Sequence, residues 1–127
     1  MSTVSPLASV FRPTRSRVLQ ELAQPSSAAA VARRLEMPRQ QVSYHLKQLE
    51  REGRIVQVDG DLWFAAAPME EARSLLRKHA EAYGQIDAAT FRDLLGASRK
   101  FSIALLDYFD RTGFTMRVGD MRRLRKS

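Results

Sequence analysis

Cysteine is absent from this chain of 127 residues, which excludes disulfides and thiolate-bound metal. Histidine is nearly absent: His45 and His79 are the two present. They fall on separate predicted helices, so no imidazole cluster with metal-ligand spacing forms. Neither a metal nor a cofactor is expected. No apolar run approaches the ~20 residues that a membrane-spanning helix needs. The opening MSTVSPLASVFRPTR lacks the basic start and long apolar core of a secretory leader. A cytoplasmic location is the default expectation. Catalytic groupings are missing too, with no cysteine nucleophile, no Ser-His-Asp arrangement in a recognisable context and no carboxylate pair in a plausible cleft. Glu50, Glu52, Glu70, Glu71, Asp107 and Asp110 read as residues that solvate and cap helix surfaces. The chain is therefore expected not to be an enzyme.

What is present is positive charge. The formal net charge is +7, so a polyanion is the natural partner. Residues 1–66 carry nine Lys/Arg against six Asp/Glu, and residues 67–127 twelve against eight. Within the second half, residues 97–127 hold eight basic and three acidic side chains. The excess is concentrated at the C-terminal end.

The chain also contains one pattern twice. Residues 37–64 and 97–124 align without a gap at an offset of 60. Arg39 falls on Arg99, Leu46 on Leu106, Leu49 on Phe109, Arg51 on Arg111 and Gly53 on Gly113. Upstream, Val31 and Leu35 map onto Phe91 and Leu95. Each copy reads as a short helix, a turn, a second helix closed by glycine, and a two-stranded hairpin, the order of a winged helix. Internal repetition at this period decides the architecture: an α+β, mainly helical fold of two tandem winged helix-turn-helix domains, 1–67 and 68–127. Units of about 60 residues sit near the lower limit for an independent core, so contact between them is expected.

Residues 1–9 are expected to fray, and Pro13 suits a first helical turn. Ser26 and Ser27 are candidate caps for a helix over 28–35, and Pro38 starts the next, which carries Val42, Leu46 and Leu49 inward. Strands 55–58 and 62–64 are joined by Asp59-Gly60, a pair favoured in type I′ turns. A helix over about 69–82 links the copies, with Gly84 ending it. Asp87 caps 88–95, Gly96 makes the turn, and Ser98 caps 99–110. The wing is 115–118 and 121–124, turning at Gly119-Asp120, with a loose basic tail beyond Leu124.

A helix reads a DNA major groove with its N-terminal residues and outer face. In the first copy that face carries Arg39, Gln40, Gln41, Ser43, Tyr44 and Lys47. RSRVLQELA and VARRLEMPRQQVSYHLKQLEREGRIV resemble the ArsR-like winged-helix regulators over about residues 11–64. That resemblance implies base-side contacts from Gln40, Gln41, Ser43 and Tyr44. It does not extend to the Cys/His clusters of metal-sensing members. His45, at the edge of the inner face, reads as structural or bonded to backbone. The bland alternative for the whole face is a solvated surface.

The second copy is the more distinctive. FRDLLG-x-SRK followed by LL-x-YFDR-x-GFT-x-R-x-GD-x-R, over residues 85–125, closely resembles the C-terminal winged-helix domain of the selenocysteine-specific elongation factor family, SelB. The linker DLWFAAAPMEEARSLLRKHAEAYGQI fits the same family. The resemblance implies a messenger-RNA hairpin as ligand, held at the start of the reading helix by Ser98, Arg99 and Lys100. Selenocysteine incorporation, and with it association with the ribosome or a translation factor, follows from the same resemblance. Charge points the same way independently. RNA stems are gripped through phosphates and 2′-hydroxyls and read at exposed loop bases. Arg99 and Lys100 at a helix start form an anion site, which Arg117, Arg122, Arg123 and Arg125 extend along the wing. Against this, Arg99 and Lys100 could simply be solvated. Arg111 is expected to pair with Asp107 along the helix, Tyr108 and Phe109 to lie in the core, and Trp63 to pack on the linker helix.

No G-x-x-x-x-G-K-[ST] phosphate loop is present, so this chain is not the entire elongation factor. It is either part of a longer GTPase or a stand-alone protein, with the start at Met1 favouring the second. Three functions follow in order of expectation: an RNA-hairpin binder, a DNA-binding transcriptional regulator for which a homodimer would be usual, and a protein-interaction scaffold.

Overall fold

The computed structural model describes residues 13–125; the expectation for residues 1–9 and most of the basic tail lie outside them. The first half contains α1 (Thr14–Glu21), α2 (Ala28–Leu35), α3 (Arg39–Arg51), β1 (Ile55–Asp59) and β2 (Leu62–Ala65). The second contains α4 (Ala66–Tyr83), β3 (Ile86–Asp87), α5 (Ala88–Leu95), α6 (Arg99–Arg111), β4 (Thr115–Val118) and β5 (Met121–Leu124). The result is a mostly helical α+β fold with winged-helix-type elements. Helices α2 and α5, and α3 and α6, begin and end 60 residues apart.

Capping chemistry explains these boundaries. Ser27 Oγ accepts from the Ala30 N–H at 3.1 Å, Asp87 Oδ1 from Thr90 at 2.7 Å and Ser98 Oγ from Phe101 at 3.2 Å. Each removes one of the unpaired donors of a helix start. Helix α4 begins three residues earlier than expected, at Ala66. Pro68 is accommodated in its first turn, where a missing N–H costs nothing, so the anticipated boundary at 67/68 falls inside a helix. The α2 helix ends on Glu36 with φ 53, whereas its counterpart ends on Gly96 with φ 66.

The two hairpins turn differently. Gly119 has φ 62 and Asp120 no positive φ, the sign pattern of a type II′ turn. The Asp59-Gly60 type I′ turn does not form. Gly60 lacks the positive φ it requires, and strand β1 runs through Asp59. The turn lies at Gly60-Asp61, with Asp59 Oδ1 accepting from the Gly60 N–H at 2.7 Å.

Two clusters of buried side chains form, and the hairpin of the first half is divided between them. Val18, Leu22, Val31, Val42, Leu46, Leu49 and Ile55 make one. Met69, Leu76, Ile86, Phe91, Leu105, Leu106 and Phe109 make the other, which also takes Val58 and Phe64 from the first hairpin. Alternation along a strand sends neighbours to opposite faces, so Trp63 turns the other way from Phe64. It packs on the first cluster rather than on α4, and its backbone pairs with Ser26 at 2.8 and 2.9 Å. The Arg111 guanidinium crosses the joint, donating to the Val58 carbonyl at 2.5 Å and lying 5.6 Å from the Tyr108 ring centroid. It does not pair with Asp107, which is held by Arg122 instead.

Candidate nucleic-acid interface

The start of α6 carries three neighbouring polar side chains. Ser98, Arg99 and Lys100 are all exposed, and neither cation makes an ion pair or a side-chain hydrogen bond among the described residues. Ser98 spends its oxygen as an acceptor in the helix cap, which leaves its O–H free to donate. Free cations beside the N-terminal N–H groups of a helix favour an anion.

The arginines of the wing do not join this group as one surface. Arg117, at the wing tip, is exposed, and its Nε–H donates to the Gly119 carbonyl at 3.0 Å. Arg123 is exposed on the opposite face of the hairpin, the face it shares with Met116. Arg122 corrects the sequence expectation outright. It shares a face with Thr115 and Leu124, points inward, and is 5% exposed. Its guanidinium lies between Asp107 and Asp110 at 3.2 Å from each, and Thr115 Oγ1 donates to the same Asp110 carboxylate at 2.6 Å. A guanidinium so enclosed ties the wing to α6 and is not offered to a ligand. Asp110 is accordingly its partner rather than solvated surface, while Asp107 pairs with it and remains exposed.

On α3, Arg39, Gln40, Ser43, Tyr44 and Lys47 line one shallow hollow of about 390 Å³. Gln41 is exposed but lies off that hollow. Arg39 reaches Asp61 of the neighbouring turn at 3.6 Å. Tyr44 is 56% exposed and meets His45 edge-on, with centroids 5.4 Å apart. Of the two roles expected of His45, the backbone hydrogen bond through Nδ1 does not form, and that nitrogen is buried without a partner. Burial pushes the His45 pKa down from its ordinary value, with the Arg15 charge adding to the effect. Among the described residues, no group of three or more His, Cys, Asp or Glu is placed to hold a metal ion, and no helix is long and apolar enough to cross a membrane.

These elements and their order define a winged-helix protein. Comparison with known proteins narrows the class. Residues 78–124 match the family described as elongation factor SelB, winged helix, and residues 12–58 a family described as helix-turn-helix domain. The selenocysteine-specific elongation factor of Desulfomicrobium baculatum is 34% identical over 85 residues, covering 67% of this chain and 13% of that protein. The corresponding factor of Escherichia coli K12 is 38% identical over 80 residues, covering 63% and 13%. The chain thus spans about 13% of the length of these relatives. Among solved structures, the mRNA-binding domain of E. coli SelB, in complex with SECIS RNA, superposes with a TM-score of 0.75 at 29% identity. That match covers 91% of this chain and all of the other. A bacterial selenocysteine-specific elongation factor, EF-Sec, shares the fold with a TM-score of 0.71 at 19% identity, over 94% of this chain and 19% of that one. The chain is a relative of the C-terminal winged-helix, mRNA-binding region of SelB-like selenocysteine elongation factors. The match to the first half is to a helix-turn-helix domain in general and does not carry the ArsR-like reading.

Proposed function

We propose that the chain is a non-enzymatic RNA-hairpin binder built from two tandem winged helices, divided near residue 67. The likeness along nearly the whole chain to the mRNA-binding domain of E. coli SelB carries this reading. Ser98, Arg99 and Lys100 hold the stem phosphates, with Arg117 reaching from the wing tip and Arg123 from its far face. A-form stems hide base edges in a deep groove, so a compact cationic helix start suits them. The biological setting proposed is selenocysteine incorporation, with a ribosome or translation factor as further partner and a cytoplasmic location.

A labelled RNA stem-loop and a DNA duplex of matched length, titrated across a salt series, test the reading. Tighter binding to the hairpin is expected, with affinity falling steeply as salt rises. Equal or tighter binding to the duplex would overturn it. Arg99→Ala with Lys100→Ala is expected to weaken hairpin binding by about 2–3 kcal/mol.

Duplex DNA is the second reading, favoured by the helix-turn-helix match over residues 12–58 and by the hollow on α3. Arg and Gln side chains there have the fork geometry that base edges in a major groove accept. It predicts duplex binding that Gln40→Ala with Tyr44→Ala abolishes. No salt-dependent affinity for either nucleic acid would leave a protein-interaction scaffold.

A further inference from the structure

Beside the start of α6, an open cleft of about 370 Å³ is lined by residues of both halves. The α1–α2 segment of the first half supplies Gln20, Glu21, Gln24 and Pro25, α2 supplies Arg34, and the first turn of α6 supplies Phe101. Phe101 directly follows Lys100, so the cleft opens next to the proposed phosphate site. The ring is partly exposed and lies outside both buried clusters, so the core does not account for it.

The cleft is fixed and nearly neutral. Arg34 Nε donates to the Glu21 carboxylate at 2.5 Å and Nη2 to Ser26 Oγ at 2.9 Å. Nη2 also reaches the Glu21 carbonyl at 3.4 Å. Those bonds hold the guanidinium in place and cancel its charge, while Nη1 makes no hydrogen bond among the described residues. A phosphate gains little from such a paired charge. A flat, neutral heterocycle with a hydrogen-bonding edge gains more, because the ring of Phe101 offers a stacking face and the amides of Gln20 and Gln24 offer both donors and acceptors.

The geometry points to a seat for one unpaired RNA base between the halves, stacked on Phe101 and read by Gln24, Gln20 and the free Nη1 of Arg34. The inference rests on the RNA-hairpin reading and deepens it. The phosphates flanking that nucleotide lie on Arg99 and Lys100, and the first half reads sequence instead of serving only as a spacer. Unpaired loop bases are the part of an RNA hairpin that is open to such reading.

Hairpins selected on the full chain from a library with randomised loops provide the probe. Each unpaired position is then replaced in turn by an abasic nucleotide. At one position the replacement is expected to weaken binding to the parent chain about tenfold, as loss of one stacked base does. Phe101→Ala and Gln24→Ala should bind the intact hairpin more weakly and respond to that replacement by under about twofold. Gln24 is exposed, so its variant tests the seat without disturbing packing. Identical abasic profiles in the parent and both variants overturn the seat. If Arg99→Ala with Lys100→Ala still weakens the hairpin in that case, the RNA reading survives alone. Failure to select any hairpin overturns both.

Discussion

At positions 60 apart, the first half holds Lys47, Glu50, Ile55 and Leu62 where the second holds Asp107, Asp110, Thr115 and Arg122. In the first half Ile55, 3% exposed, meets the helices through aliphatic contact, while Leu62 faces the second cluster. In the second, a buried arginine, two carboxylates and a threonine hydroxyl do the same work. The aliphatic joint leaves Lys47 free on the outer face of α3. The polar joint uses Asp107 and Arg122 internally, and the free cations of the second half move to the helix start and the wing. One scaffold therefore presents two differently charged faces because its interior is solved in two ways.

The largest expected effect tests that difference. Arg122→Ala leaves Asp110 without its cation in a partly enclosed site, and should destabilise the protein by about 3 kcal/mol in denaturant melts. Removing the clamp as a unit, Arg122→Leu with Thr115→Ile and Asp110→Asn, should fall within about 1 kcal/mol of the parent, because no charge is then left unpaired in the enclosed site. A mild Arg122→Ala would mean that the wing does not depend on the clamp.

A smaller effect is expected where the halves meet. Arg111 donates to the Val58 carbonyl across the joint, whereas its counterpart Arg51 is exposed and makes no side-chain hydrogen bond or ion pair among the described residues. Arg111→Ala should cost about 1.5 kcal/mol, near the lower end for a charged hydrogen bond. Arg51→Ala should stay within about 0.5 kcal/mol, as exposed substitutions do. Equal losses would show that the joint is held by Val58 and Phe64 alone.

The same comparison explains what could be read in advance. Helix limits, caps and the second wing follow from local chemistry: Ser27, Asp87, Ser98 and the glycines at 84, 96 and 113 each sit where a helix must start or stop. Charge summed along the chain puts Arg122 on the outer surface, because such a sum ignores alternation across the strand. Its period-2 partner Leu124, and two carboxylates one helical turn apart at Asp107 and Asp110, carried a signal for an inward cation. Trp63, the joint at Val58 and the cleft at Phe101 depend on segments tens of residues apart, and no local pattern encodes which half claims them. The cleft in particular combines Gln24 and Phe101, which no motif connects.

Backbone strain gives a third contrast, of about 1 kcal/mol. Glu36 adopts φ 53 where its counterpart Gly96 has φ 66, a left-handed conformation that costs a side-chain-bearing residue about 1 kcal/mol. Glu36→Gly should therefore stabilise the first half by somewhat under that amount. Gly96→Ala should destabilise the second by about 1 kcal/mol, since a Cβ there meets nothing within 4 Å and only the backbone resists. Matching thermal melts of the two variants check the opposite signs.

The smallest effect separates the halves by pH. His45 occupies the position of Leu105 in the second half, which is 1% exposed. Burial, with the Arg15 charge added, holds the folded-state pKa of His45 below its ordinary 6.5. Between the depressed value and 6.5 the unfolded chain binds a proton that the folded chain refuses. Stability is therefore complete above pH 6.5 and declines as the pH falls below it. Replacing His45 with the leucine of the other half removes both the proton uptake and the unpartnered buried Nδ1. Melts of the parent should lose stability between pH 7.5 and pH 5, and those of His45→Leu should lose less over the same interval. An unchanged slope in His45→Leu would show that His45 does not carry the acid sensitivity of this interval. Asp87 does not contribute there: its pKa is held down chiefly by hydrogen bonding with Thr90, and that contribution is lost only as the pH falls below the ordinary carboxylate value of 3.8, a window distinct from that of the histidine.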